Sequence, residues 1–332
     1  MRRSDLRETD GPPGLRDTVA GRLPSGAAAG VALALLTATI SGFAIFINSY
    51  AVKEFDSPTV FTTLKNAAVG AVFLAFVLRP APLAELRRLR PLQALGLLLL
   101  GVIGGSIPFV LFFEGLSRVD SGNAAFLHKT LFIWVAFLAV VLLRERLGRA
   151  QIGAVGLLLL AQWLLGGPGG LSGDGVLMVF GAALLWSCEV VLARRMLGSM
   201  SSGIAASGRM TLGALLLLLW LAVTGRLGDA FSLDGSQLTW VLATSLILLA
   251  YVATWYAALK RAPATAVTCV LTIGAPITAA LDVIAGRPGP AAEDLLAYAV
   301  LVAAALAVGL LSVRRAQPEA EPARALAAEG LG

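Results

Sequence analysis

The chain has 332 residues, of which 58% are hydrophobic and only 14% charged; its net charge is +6 and its mean hydropathy +0.83. Soluble domains carry about 25% charged residues, so the composition excludes an ordinary soluble enzyme and places the chain in a membrane. The basic residues lie between apolar runs, so the positive charge is not read as affinity for nucleic acid. The two cysteines, Cys188 and Cys269, both fall inside apolar runs, which supports neither a disulfide framework nor a cysteine metal site.

In chain order, residues 1–26 are polar and rich in Pro and Gly, and are expected to form a disordered cytoplasmic arm. They are not read as a signal peptide, because the first apolar run comes late and is long enough to span. Hydropathy then predicts ten spans, at 27–50, 58–79, 92–115, 121–143, 149–168, 174–195, 202–224, 236–259, 264–285 and 292–313. The loops between them are short, so neighbours are expected to run antiparallel. Residues 315–332 are read as a solvated cytoplasmic tail with at most a short helical piece.

The 26 Lys and Arg residues orient these spans. With the N-terminus inside, 19 fall on inside segments and four (Lys53, Arg118, Arg226 and Arg287) outside. Three, Lys65, Lys129 and Arg209, lie within spans. This asymmetry implies an even number of helices with both termini in the cytoplasm and a location in the inner (plasma) membrane.

The chain also repeats at an offset of about 143–146 residues. The segment starting at Ile40, ISGFAIFINSYAVKEFDSPTVFTTLKNAAVGAVFLAF, and the one starting at Trp186, WSCEVVLARRMLGSMSSGIAASGRMTLGALLLLL, share a span, a short loop and one basic residue early in the next span. FFEGLSRVDSGNAAFLHKTLF and WYAALKRAPATAVTCVLTIGAP likewise each end a span on a basic residue and open the next with small residues. Five helices per half is odd, so the halves are expected to be inverted: residues 27–168 and 173–314. Inverted repeats are a secondary-transporter signature, with substrate bound between the halves near the midplane.

The segment LLRERLGRAQIGAVGLLLLAQWLL at the fourth and fifth spans, YVATWYAALKRAPATAV at the eighth and ninth, Lys65 and Arg209 early in the second helix of each half, and Trp186 together resemble the EamA-like branch of the drug/metabolite transporter superfamily over residues 27–314. The resemblance implies an all-α membrane protein of ten transmembrane helices in two inverted five-helix repeats. It implies a carrier of small metabolites working by alternating access, with no cofactor. The chain departs from that pattern in Ile40-Ser41-Gly42, in Lys129-Thr130 where the ninth span has Ala275-Pro276, and in Gly286-Arg287-Pro288 where a glutamate like Glu145 is usual.

Buried charge marks the candidate site, because an ionisable residue within a span is costly unless it faces protein or a cavity. Lys65 and Lys129 each lie roughly 10 Å below the outer ends of their spans, at 1.5 Å per residue. Glu114 and Asp282 lie near the outer ends, and Glu189 and Arg209 in the inner half. Lys129 is read as lining a central cavity and meeting an anionic substrate group, a carboxylate above all. The competing readings are a fixed pair with Glu114 or Asp282, or snorkelling to the interface. His128, the only histidine, points about 100° away from Lys129 on a helix and is read as a supporting residue packed on a neighbour. Arg209 with Glu189, and Lys65 with Glu114 or Asp282, are read as pairs that hold closed states; snorkelling is again the alternative.

Trp134, Trp186, Tyr251 and Trp255 are expected in the cavity or its gates, Tyr251 and Trp255 sharing a side at i, i+4. Trp163 and Trp240 suit an interfacial belt. Pro108 and Pro276, with Gly104-Gly105 and Gly274 close by, mark hinges. Glu145, between Arg144 and Arg146, is read as a local salt link at the end of the fourth span. Small residues in the fifth and tenth spans, Gly153, Gly156, Ala303, Ala307 and Gly309, suit close packing within the chain and leave a homodimer open. The expected partners are a small-molecule substrate and the lipid bilayer, not nucleic acid. The cavity charges lean basic and the first span has no acid, which favours carboxylate-bearing metabolites such as amino acids over a polyspecific cation exporter. No HExxH, acidic cluster or nucleophile–base pair supports an enzyme, and a non-transporting structural or sensory membrane protein is the remaining alternative.

Overall fold

The structure, a computed structural model, describes residues 26–119, 121–166, 172–287 and 289–329, and beyond residue 316 the backbone alone. The N-terminal arm expected at 1–26 lies, but for Gly26, outside the described residues.

Among the described residues every element is helical. The long helices are α1 (Gly26–Ala51), α2 (Pro58–Val77), α3 (Pro91–Leu116), α4 (in two segments, Ser121–Lys129 and Leu131–Leu142), α5 (Arg149–Gly166), α6 (Asp174–Met196), α7 (Ser202–Val223), α8 (Gly235–Arg261), α9 (in two segments, Ala264–Leu271 and Gly274–Ile284) and α10 (Ala292–Glu329). A short helix, Pro80–Arg87, joins α2 to α3. Among the described residues eight helices are long and apolar enough to cross a membrane, and two shorter apolar helices, Phe126–Leu142 and Arg149–Leu165, fall at the fourth and fifth expected spans. Their outward faces carry exposed Phe137, Val141, Leu246 and Leu296, as a lipid-facing surface requires.

The sequence sets the helix starts. Ser57 Oγ accepts the Val60 amide ahead of Pro58, an N-cap followed by proline at the first helical position. Asp234 and Gln237 form a reciprocal capping box at α8. α10 does not stop at the charged pair Arg314-Arg315 but runs on to Glu329, through a stretch dominated by strong helix formers, Ala and Glu; the solvated tail is thus helical over most of its length.

The packing is exchanged between the halves. α1 packs on α8 and α9, and α6 on α3 and α4; α2 packs on α8 and α7 on α3. α2 with α7, α4 with α9 and α5 with α10 pair across the middle. Each contact therefore recurs with the halves swapped, as a two-fold relation demands. The backbone irregularities recur too. α3 and α7 each contain a wide π-turn, Gly101–Ser106 and Gly208–Leu212. α4 breaks at Thr130 and α9 at Thr272, where each threonine hydroxyl donates to the carbonyl three residues earlier, Leu127 or Cys269, at 2.6 Å. Pro276 follows the break in α9, whereas α4 breaks at the equivalent place with no proline. Pro108 follows the π-turn of α3, and Ser106 Oγ donates to the loosened carbonyls of Gly101 and Val102, both at 3.0 Å.

Two faces are tied differently. On the arginine-rich face, Glu85 Oε1 accepts the Ser201 amide at 2.6 Å, Lys260 Nζ donates to the Met200 carbonyl at 2.6 Å and Arg315 Nη1 to the Arg146 carbonyl at 2.9 Å. Glu145 takes the first amides of α9, Oε1 from Ala264 at 2.7 Å and Oε2 from Thr265 at 3.2 Å. This corrects the expected local salt link: the glutamate caps a helix of the other half, because free amides at a helix start attract a carboxylate more specifically than exposed arginines do. On the opposite face, Gln237 Nε2 reaches the Glu54 carbonyl at 2.9 Å and Arg287 Nη1 the Ser49 hydroxyl at 3.1 Å.

Candidate substrate cavity

A cavity of about 100 Å³ is lined by α1, α2, α3, α4, α6, α7, α8 and α9. One face of α1 enters it at Ser41, Ile45 and Asn48, and one face of α3 at Phe109, Phe112, Phe113 and Leu116; both follow the i, i+3, i+4, i+7 spacing of a helix stripe. His128, Trp186, Tyr251 and Trp255 add a largely aromatic wall. Tyr251 and Trp255 stack 6.0 Å apart at 13°.

Among the described residues three charged side chains reach the cavity: Lys65, Glu189 and Arg209. Glu189 and Arg209 form a buried ion pair, Arg209 Nε lying 3.9 Å from Glu189 Oε1. That oxygen also accepts a short hydrogen bond from the Tyr256 hydroxyl. Among the described residues Arg209 Nε and Nη1 have no hydrogen-bond partner, although the guanidinium stands 5.6 Å from the Phe109 ring centroid. Its place in the π-turn of α7 sets this presentation; such turns recur at functional sites.

Lys65 is only 2% exposed, so it does not snorkel. Its ammonium donates to Asn48 Oδ1 at 3.0 Å and stands 4.0 Å from the Phe113 centroid and 4.9 Å from that of Phe61. Two aromatic faces and one amide oxygen hold the cation where a carboxylate was expected. Glu114 and Asp282 are taken elsewhere: Glu114 Oε2 lies 3.5 Å from Arg118 Nη2, Glu114 Oε1 accepts from the Thr59 hydroxyl at 2.7 Å, and Asp282 pairs with Arg287 at 2.8 Å. Nearby arginines at the helix ends reach these acids at less desolvation cost than a buried lysine does.

His128 and Lys129 exchange their expected places. The His128 ring lines the cavity, edge-on to Phe112 at 5.5 Å and to Trp186 at 5.3 Å, with Nδ1 unpartnered. Lys129, 2% exposed, runs behind the wall and donates to Ser41 Oγ at 3.1 Å. It reaches the break in α9, where a methyl group added at Gly274 would come within 3.3 Å of Nζ. Neither Glu114 nor Asp282 pairs with it.

Trp186 Nε1 donates to the Gly104 carbonyl at 3.0 Å, fastening α6 into the π-turn of α3. Gly104 permits this approach: an added methyl would lie 2.5 Å from Glu189 Cγ and 3.2 Å from Arg209 Nε. Trp134 packs on Phe180 at 5.9 Å and is not among the lining residues. Asn48, Phe109, Phe113 and Tyr256 complete the site without having been expected in it; the polar positions Ser41 and Asn48 at i, i+7 in an apolar run were the available signal. Beyond Leu116, which lines both spaces, opens a vestibule of about 750 Å³ with Lys53, Asp56, Arg118 and Arg287 on its walls.

The EamA-like transporter family profile matches residues 28–167 and 173–311, one repeat in each half. The chain belongs to the EamA-like transporter family. This family, of the drug/metabolite transporter superfamily, consists of membrane transporters. No curated protein matches the chain. A solved crystal structure of a protein 23% identical superposes with a TM-score of 0.62, covering 83% of this chain and 98% of the other; at that identity the likeness supports the fold alone.

Proposed function

We propose that this family member is a secondary transporter for small carboxylate-bearing metabolites, amino acids among them, working by alternating access between its halves. The reading takes the ten apolar helices as ten spans in two inverted repeats, with the arginine-rich face and both termini in the cytoplasm of a cell whose plasma (inner) membrane holds the protein. The exchanged packing, the recurring π-turns and breaks, and the Lys/Arg asymmetry support that arrangement.

One observation carries the substrate class. The cavity holds two cations, Lys65 and Arg209, against one carboxylate, Glu189, which Tyr256 already engages; Arg209 Nε and Nη1 are left unpaired. A buried donor without an acceptor costs about 1–3 kcal/mol, and a substrate carboxylate supplies the missing acceptor and the missing charge. The aromatic walls suit an apolar body attached to it. The basic vestibule behind Leu116 would gather anions toward the site.

Purified protein in liposomes, screened for flux of amino acids, organic acids and cationic drugs, tests this. Flux of carboxylate-bearing compounds is expected. Flux of cationic drugs alone would assign the site to the single acid Glu189 and the protein to cation export, and no flux of any class would remove the transport reading.

A further inference from the structure

A second pocket, of about 540 Å³, lies on the arginine-rich face away from the substrate cavity. Four arginines converge on it from different elements: Arg146 from the α4–α5 junction, Arg194 from α6, Arg261 from the end of α8 and Arg315 from α10. Three of them are held by backbone carbonyls through Nη1 alone: Arg194 on Leu259 at 2.9 Å, Arg261 on Ala257 at 2.8 Å and Arg315 on Arg146 at 2.9 Å. This leaves Nε and Nη2 of the three as donors. Glu145 also lines the pocket; its carboxylate accepts the α9 amides and attracts Arg194, so four arginines face one carboxylate, and among the described residues none of the four stands within ion-pair distance of an acid. The arginines thus form an anion site of net positive charge whose guanidinium forks suit phosphate.

The rest of the pocket tells which phosphate. Its walls include apolar Ala27, Ala266 and Val308. The adjoining helices α5 and α10 turn Ile152, Leu306 and Leu310 outward, exposed, where acyl chains run. We infer that this pocket binds the headgroup phosphate of an anionic phospholipid from the leaflet on the arginine-rich side, bridging Arg146 of the first half to Arg194, Arg261 and Arg315 of the second.

Native mass spectrometry of the full chain in detergent, offered equal phosphatidylglycerol and phosphatidylcholine, tests this, alongside thermal unfolding with each lipid or with inorganic phosphate. The wild type should retain phosphatidylglycerol preferentially. The double variant R261Q/R315Q should lower that preference about thirtyfold, from the usual contribution of each basic residue at an anionic surface, and in lipid-free detergent it should unfold only slightly earlier than the wild type, through loss of the Arg315–Arg146 hydrogen bond. Should the double variant not be recovered, each single substitution should lower it about fivefold by the same reckoning. Equal retention of the two lipids, or an unchanged preference in the variants, would overturn the site. Inorganic phosphate stabilising the wild type as well as phosphatidylglycerol does, and displacing it, would overturn the lipid in favour of a soluble phosphate.

Discussion

Arg209 and Glu189 form a buried ion pair that is not a hydrogen bond: Nε stands 3.9 Å from Oε1, and the oxygen's close partner is Tyr256. The guanidinium is thereby charge-compensated yet left with free donors. Breaking such a pair on one side generally costs about 3–5 kcal/mol, so its two members should respond differently to ligand and to heat. Arg209→Gln is expected to lower apparent affinity for a carboxylate substrate at least about tenfold, since a charge-assisted hydrogen bond contributes about 1.5–3 kcal/mol. Glu189→Gln should leave simple organic acids bound as well or better, and should weaken amino acids, whose ammonium group loses the one acid that lines the cavity among the described residues. Competition binding with matched amino and organic acids reads both effects. Equal weakening of the two classes by Glu189→Gln would show that Glu189 contacts neither selectively.

Lys65 is held by Asn48 and the faces of Phe113 and Phe61, with no carboxylate. An ammonium carries three donors, and one protein acceptor leaves two for a ligand. Lys65→Ala should insert normally and lose flux, with a drop in apparent affinity of about tenfold or more on the same hydrogen-bond scale. Membrane insertion and flux, measured together, separate this from misfolding. Unimpaired flux in both Lys65→Ala and Arg209→Ala would remove both cations from the transport reading.

His128 and Lys129 give a sharper contrast. Aromatic edge contacts contribute about 0.5–1.5 kcal/mol each, so His128→Ala, which removes two from the cavity wall, should weaken substrate binding several-fold. Lys129→Met keeps most of the volume behind the wall and should leave binding within about threefold, its effect falling on turnover through the α9 break. Should Lys129→Met abolish binding while His128→Ala does not, the lysine reaches substrate in another state of the cycle.

The helices and the charged positions were legible because both follow from periodicity and cost: span-length apolar runs, and ions that lipid does not tolerate. Lys65, Glu189, Arg209, Trp186, Tyr251 and Trp255 were named on those grounds and converge on one cavity. Partner choice was not legible. Depth alone put Lys65 near Glu114 and Asp282, but Arg118 and Arg287 lie closer in space, and cation–π contacts depend on rotations that hydropathy does not encode. The facing of His128 against Lys129 turns on how the segment Ser121–Lys129 is rotated against its neighbours, which hydropathy does not encode. Trp134 was placed by depth alone, and depth does not distinguish the cavity from the Phe180 contact it makes.

Gly104 tests how tightly the site is built. A methyl group there would meet Glu189 Cγ at 2.5 Å and Arg209 Nε at 3.2 Å. Overpacking of this kind costs about 1–3 kcal/mol. Gly104→Ala should therefore lower thermal stability and flux together, and Trp186→Phe, which removes the hydrogen bond to the Gly104 carbonyl and shrinks a buried ring, should cost more than the roughly 1 kcal/mol of the hydrogen bond alone. Wild-type flux in Gly104→Ala would mean that the ion pair moves freely during transport.

Arg144 has φ of 56°, among the described residues the only positive φ outside glycine. It occupies the left-handed position after α4, where the Glu145 amide bonds back to the Ala139 carbonyl at 3.1 Å and glycine is the usual occupant. Holding a side-chain-bearing residue there costs about 1–2 kcal/mol. That turn aims Glu145 at the Ala264 and Thr265 amides and so joins the first half to the start of α9. Arg144→Gly should relieve the strain and raise stability by up to about 1 kcal/mol, the gain trimmed by the greater freedom of glycine in the unfolded chain. Glu145→Gln should keep a hydrogen bond but lose the charge at the helix start, costing about 0.3–1 kcal/mol, and Glu145→Ala should cost about 1–2 kcal/mol, as loss of an N-terminal cap does. Thermal unfolding in detergent ranks the three. The expected order is Arg144→Gly above wild type, then Glu145→Gln, then Glu145→Ala; a Glu145→Ala protein as stable as wild type would show that the carboxylate does not hold the two halves together.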